Sequence, residues 1–196
     1  MMRNKTVQGM SNHISNLKVT DEYLLLGDSH VERLTWKFPH FAPANTWLCG
    51  VGGDNVSQLS YRIYNENGNG YSQHPAVKND FTGIGIVIGT NNILPKMKQE
   101  DIGRIIEHVK CVYRHLEKRW PNAQIKVFPI PPVPQKGRKK RNPAHIDDFN
   151  ERLSGIDKSE ARFMWSLDTE KDFEDDVHLN ESGYSKFVNQ IANELF

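Results

Sequence analysis

The sequence predicts an α/β fold, a three-layer sandwich with about five parallel strands between helices. Three observations carry this. Short apolar runs alternate with helix-period segments about five times along the chain, the pattern of strand–helix–strand units. The segment FTGIGIVI at 81–88 is nearly all apolar, as a central parallel strand covered on both faces requires. The length of 196 residues, with 37% hydrophobic and 10% aromatic composition, suits one domain with one core. Residues 21–196 are read as that single domain and residues 1–20, polar and aperiodic, as a flexible N-terminal extension.

In order, Tyr23–Leu26 reads as a buried strand and His30–Phe38 as a short helix. Thr46–Cys49 is a second short strand. Asp54–Tyr64 is helical, with Val56, Leu59 and Ile63 on one stripe. Residues 65–80 form a long polar loop, expected to border a functional site. Gly83 and Gly85 in the central strand point to an element packed close to its backbone. Glu100–Lys118 is a helix with an apolar stripe of Ile102, Ile105, Ile106, Val109, Val112 and Leu116. Gln124–Ile130 is a strand that ends in a proline-rich segment. Ile146–Leu153 is helical, Arg162–Trp165 a short strand, and the last helix starts near Glu181 with Asn180 as its cap.

The totals exclude some functions. Lysine and arginine number 25 against 24 acidic residues, a net charge of +1, so there is no domain-wide basic footprint. Cys49 and Cys111 form no C-x-x-C pair and read as two buried free thiols. The N-terminus lacks the apolar region of a secretory signal, and no run approaches the roughly 18 apolar residues of a membrane span. A cytoplasmic protein is expected.

In a parallel sheet the chemistry sits at the carboxyl ends of the strands. Four loops there hold the informative residues. Gly27-Asp28-Ser29 places a serine where a strand turns into a helix, with its own N–H at the helix start. Taken alone, the loop reads more simply as a helix start capped by Ser29 or Asp28, both favoured cap residues. Gly50-Val51-Gly52-Gly53-Asp54 offers Gly53 N–H as a donor, and Gly89-Thr90-Asn91-Asn92 offers the Asn91 amide. Asp175 and His178, three apart, can meet in one turn, so that the acid holds Nδ1–H and Nε2 is left to take a serine proton. Each loop alone is an ordinary turn. Together they supply a nucleophile (Ser29), base (His178), orienting acid (Asp175) and oxyanion donors (Ser29, Gly53, Asn91).

These four stretches, in this order, resemble the SGNH (GDSL-type) hydrolase superfamily over about residues 22–196. The resemblance assigns the family's serine to Ser29, its glycine to Gly53, its asparagine to Asn91 and its acid–base pair to Asp175 and His178. It implies a five-stranded flavodoxin-like sheet and a carboxylic ester hydrolase that works through an acyl-enzyme without cofactor or metal, on a small ester or lipid substrate with a short, acetyl-type acyl group. Asn92 and Asp176 depart from the common pattern, which has Asp and Gly there. The G-T-N-N form is similar to the catalytic subunits of intracellular platelet-activating-factor acetylhydrolase. G-V-G-G-x-x-V and D-x-V-H-L-N-x-x-G are similar to esterase domains of animal LINE-type retroelements.

His30 reads as a helix-start or rim residue that could line the substrate pocket, and Asn92 is a second pocket candidate. Lys136, Arg138, Lys139, Lys140 and Arg141 form a basic loop, most simply a solvated one; the sharper readings are nuclear import, or contact with nucleic acid or anionic lipid. The rival function is therefore a non-catalytic or weakly catalytic module of the same fold that binds RNA or anionic lipid through 136–141. Carboxylate-pair chemistry on Asp175 and Asp176 ranks last, since adjacent side chains diverge.

Overall fold

The computed structural model describes residues 2–134, 141–157 and 163–195. Four strands, β1 (Tyr23–Gly27), β2 (Thr46–Gly50), β3 (Gly83–Val87) and β4 (Gln124–Val127), form one parallel sheet in the order β2-β1-β3-β4. The chain runs from β1 to the edge strand β2, then crosses back to β3. The strand order therefore reverses between β1 and β3, and the crevice beyond their carboxyl ends is where open α/β sheets bind ligands.

Helices cover both faces. On one side lie α1 (Asn4–Asn16), α3 (Val56–Ile63), α4 (Gln99–Arg119) and α5 (Pro143–Leu153), packed on Leu24, Leu26, Ile84 and Ile86. On the other lie α2 (Ser29–Trp36) and α6 (Glu181–Leu195), packed on Leu25, Val87 and Phe128. The alternation of Leu24, Leu25 and Leu26 between the two cores is the two-residue period of a strand buried on both faces. The close neighbour foreseen at the β3 glycines is α6. A Cβ on Gly83 would lie 3.0 Å from the Leu195 carbonyl oxygen, and one on Gly85 would lie 2.8 Å from Leu25 Cδ1 and 3.2 Å from Leu195 Cδ2. Asn180 caps α6 as read, accepting from Gly183 N at 3.0 Å.

Four expectations are corrected. Residues 4–16 are a helix docked on the sheet, with Thr6 and Met10 buried. Thr6, Met10 and His13 share one face at spacings of four and three, but two of the three are polar, so the stripe does not read as apolar. The sheet has four strands among the described residues. Phe163 and Trp165 make aromatic contacts with Phe128, and Trp165 also stacks on Phe187, so this apolar segment covers the core without joining the ladder. Cys111 is exposed, while Cys49 is buried. The 65–80 loop buries Tyr71, and Asn79 donates to the carbonyls of Lys18 and Asp21, just before β1. That end of the loop therefore lies at the amino-terminal edge of the sheet, opposite the crevice. No helix among the described residues is long and apolar enough to cross a membrane.

Candidate active site

Asp28, not Ser29, caps α2: its Oδ1 accepts from His30 N at 3.1 Å. With the capping task taken, Ser29 occupies the first helical position and its hydroxyl is free to turn elsewhere. It meets His178, whose Nε2 lies 3.1 Å from Ser29 Oγ. His178 Nδ1 lies 2.7 Å from Asp175 Oδ2. The other carboxylate oxygen of Asp175 accepts the backbone N–H groups of His178 (2.7 Å) and Val177 (2.8 Å). One acidic side chain thus shapes the turn and fixes the imidazole at once. With Nδ1–H donated to the carboxylate, the Nε2 lone pair faces the hydroxyl.

The environment of Asp175 keeps it ionised. Partial burial works against the charge, but the donors of His178 and Val177 outweigh it and hold the carboxyl at about 2. The site is open: the side chains of His178 and Asp175 are 24% and 49% exposed.

Asn91 follows β3. Its Nδ2 donates to the Asp54 carbonyl at 2.9 Å and lies 3.4 Å from Asp28 Oδ2. Gly53 follows β2, the neighbour of β1 on the other side. Its φ of +79° is a left-handed conformation that glycine adopts without strain. The loops bearing Gly53, Ser29 and Asn91 therefore leave three adjacent strands, β2, β1 and β3, at the same end.

Other candidates fall differently. His30 is 1% exposed, with ring centroids 6.2 Å from His178 and 6.0 Å from Phe187. Burial, with the nearby His178, pushes its pKa down to about 3, so it is a neutral packing residue behind His178 and not a rim residue. Asn92 uses its side-chain carbonyl to accept from Val56 N at 3.0 Å, at the start of α3, so its oxygen is committed to the scaffold. Lys136, Arg138, Lys139 and Lys140 lie outside the described residues. Arg141 turns inward: its Nε donates to the carbonyls of Thr90 (3.1 Å) and Ile93 (3.2 Å), which flank Asn91 and Asn92. No group of three or more His, Cys, Asp or Glu side chains among the described residues could hold a metal ion.

Nothing in the sequence marks Asp28 as more than a possible cap. It is 1% exposed, and burial pushes its carboxyl up to about 7, with the Asp54 charge acting in the same direction and the His30 N–H against it. An acid harder to ionise in the fold than in the open chain stabilises the fold at low pH. That contribution is complete below the ordinary value of 3.8 and is lost as pH rises through about 7. Asp28→Asn removes the dependence. Its melting temperature relative to wild type should rise between about pH 4 and 7 and level off just above 7, read by thermal unfolding in a buffer series.

A hydroxyl, an imidazole and a carboxylate in series, at the switch point of a parallel sheet, define the class of serine–histidine–aspartate sites. Solved structures share the fold. They include a Bacteroides fragilis protein described as an acylhydrolase (TM-score 0.75, 17% identity, covering 99% of this chain and 97% of that one). A GDSL-like lipase from Bacteroides thetaiotaomicron is similar at TM-score 0.72 and 14% identity, covering 95% of each chain. A carbohydrate esterase family 3 protein from Talaromyces cellulolyticus gives TM-score 0.59 and 16% identity over 88% of this chain and 94% of that one. The chain has the fold of the GDSL-like lipases and acylhydrolases. No protein-family model and no curated protein sequence matches it.

Proposed function

We propose that the protein is a serine ester hydrolase of the SGNH type, acting on carboxylic esters with short acyl groups. The observation that carries this is the unbroken relay Ser29 Oγ–His178 Nε2–His178 Nδ1–Asp175 Oδ2, with separations of 3.1 and 2.7 Å. The fold shared with acylhydrolases and esterases supports it. The openness around His178 and Asp175 supports a small acyl group, since a shallow site offers little wall to a long chain.

In this reading Ser29 Oγ attacks the ester carbonyl as its proton passes to His178 Nε2. Asp175 holds the imidazolium in place and stabilises its charge without taking its proton. The tetrahedral oxyanion is received by Ser29 N–H, Gly53 N–H and the Asn91 amide hydrogen that makes only the long contact to Asp28. Collapse expels the alcohol, protonated by His178, and leaves an acyl group on Ser29. Water then attacks that acyl group with His178 as base, releasing the acid and restoring the hydroxyl.

The test is hydrolysis of p-nitrophenyl esters from acetate to decanoate, with fluorophosphonate labelling and identification of the modified peptide. Turnover highest for acetate and butyrate, with the label on Ser29, is expected. A chain that hydrolyses none of these and takes no label is not an esterase, and a binding role for the fold then leads. Asn91→Ala should lower kcat by roughly 10² to 10³ with a much smaller change in KM, because the lost hydrogen bond matters most as the oxyanion forms. Steady-state kinetics on p-nitrophenyl acetate reads this directly.

A further inference from the structure

The described polar core contains one ion pair that the proposed mechanism does not use. Asp54 and Arg62 both have fully buried side chains, and Arg62 Nε donates to Asp54 Oδ2 at 2.9 Å. Replacing a buried ion pair by apolar residues often leaves stability unchanged or improves it, so such a pair is weak as a stability device. What the pair touches is more informative.

We propose that Asp54 and Arg62, with Thr6 of α1, are positioning residues that set the geometry of the oxyanion-binding groups; this rests on the serine-esterase reading above. Asp54 follows Gly53 directly, and its carbonyl takes the Asn91 amide at 2.9 Å, so two of the three donor segments are joined at one residue. Its carboxylate is held by Arg62 on one oxygen and by Thr6 Oγ1 at 2.7 Å on the other, with Arg3 Nη1 3.7 Å from that second oxygen. Arg62 Nη2 donates to Gly27 O at 2.8 Å, two residues before Ser29, and Nη1 to Cys49 O at 2.8 Å at the end of β2. The planar guanidinium is a rigid fork, so these bonds set the spacing of the β1 and β2 ends against Asp54.

Helix α1 closes the arrangement. Tyr71 OH accepts from Arg62 Nη1 at 3.1 Å and lies 2.6 Å from His13 Nδ1. Arg3 Nη1 donates to Gly53 O at 2.6 Å and Nη2 to Gly52 O at 3.4 Å. Gly52 C=O and Gly53 N–H belong to one planar peptide, so holding that oxygen also aims the N–H assigned to the oxyanion. None of these side chains is given contact with substrate. They act by fixing where the donors stand, and a small misplacement of such donors is costly.

The test uses the intact chain and the mild variant Thr6→Val, which keeps the ion pair and removes one donor to Asp54, beside Asp54→Asn. Thermal unfolding first establishes the fraction folded. Thr6→Val is expected to lower kcat on p-nitrophenyl acetate about tenfold with KM changed by less than about twofold. Combined with Asn91→Ala, its loss should be clearly smaller than the product of the single losses, since both act on one group. Fully multiplicative losses, or a fall in melting temperature with kcat of the folded protein unchanged, overturn the proposal. Nuclear magnetic resonance adds a readout that needs no turnover: the Asn91 side-chain amide and Gly53 N–H signals should move in Thr6→Val while those of Asn79, at the far end of the sheet, stay. If wild type is inactive, the esterase reading fails while the spectra still judge the positioning role; stationary Asn91 and Gly53 signals reject it.

Discussion

Ser29→Ala and His178→Ala should each abolish measurable turnover of p-nitrophenyl acetate, with kcat falling by roughly 10⁶-fold, the scale seen when a serine–histidine pair is broken. The double variant should be scarcely worse than either single one, because the two groups act as a unit. The fold should survive. Ser29 does not cap α2, since Asp28 does, so alanine at 29 costs no cap bond. Steady-state rates and circular dichroism on the three variants check both halves. Activity that persists in Ser29→Ala would reject Ser29 as the nucleophile.

Asp175→Asn should cost roughly 10⁴-fold in kcat, for a different reason. The asparagine carbonyl can still accept the Val177 and His178 backbone N–H groups, so the turn is retained. Its NH₂ then faces His178 Nδ1 and turns the imidazole into the tautomer with a proton on Nε2, which cannot accept from Ser29. Because the native carboxyl sits at about 2, Asp175 stays ionised at every pH where esters are conveniently assayed. Its contribution to stability is present above the ordinary carboxyl value of 3.8 and fades only as pH falls through about 2. An acid limb near neutrality in wild type therefore belongs to another group. Recording kcat against pH for wild type and Asp175→Asn checks this.

The parts legible in the sequence are those whose signal is local. Strand ends, cap residues and loop chemistry lie within a few residues of one another, so Gly27-Asp28-Ser29, the glycine loop, Gly89-Thr90-Asn91 and Asp175…His178 could each be placed at a carboxyl edge. Parallel topology then brings Ser29, His178 and Asp175 within hydrogen-bonding distance. The parts not legible depend on distant partners. Thr6 and His13 look like surface residues until Asp54 and Tyr71 are seen beside them. Arg62 lies on an otherwise ordinary amphipathic stripe, and nothing nearby in the chain tells that Gly27 O and Cys49 O await it. The 65–80 loop is polar and long, yet its Tyr71 is buried and bonds Arg62 beneath the strand ends, a contact that nothing nearby in the chain announces. Arg141 reads as one charge among five, and only the fold turns it toward the 90–93 carbonyls.

Ser29 and His178 stand 149 positions apart, and the histidine reaches the serine only through the segment that leads into α6, the last helix described. Contacts of such long sequence separation carry the largest loop-closure cost and are slow to form. During refolding from denaturant, the proposed ester cleavage would therefore return no sooner than α6 seats on β3 and β4. The proposed ester cleavage would then serve as a clock for the docking of this helix, while far-ultraviolet signals from the earlier helices would already have recovered.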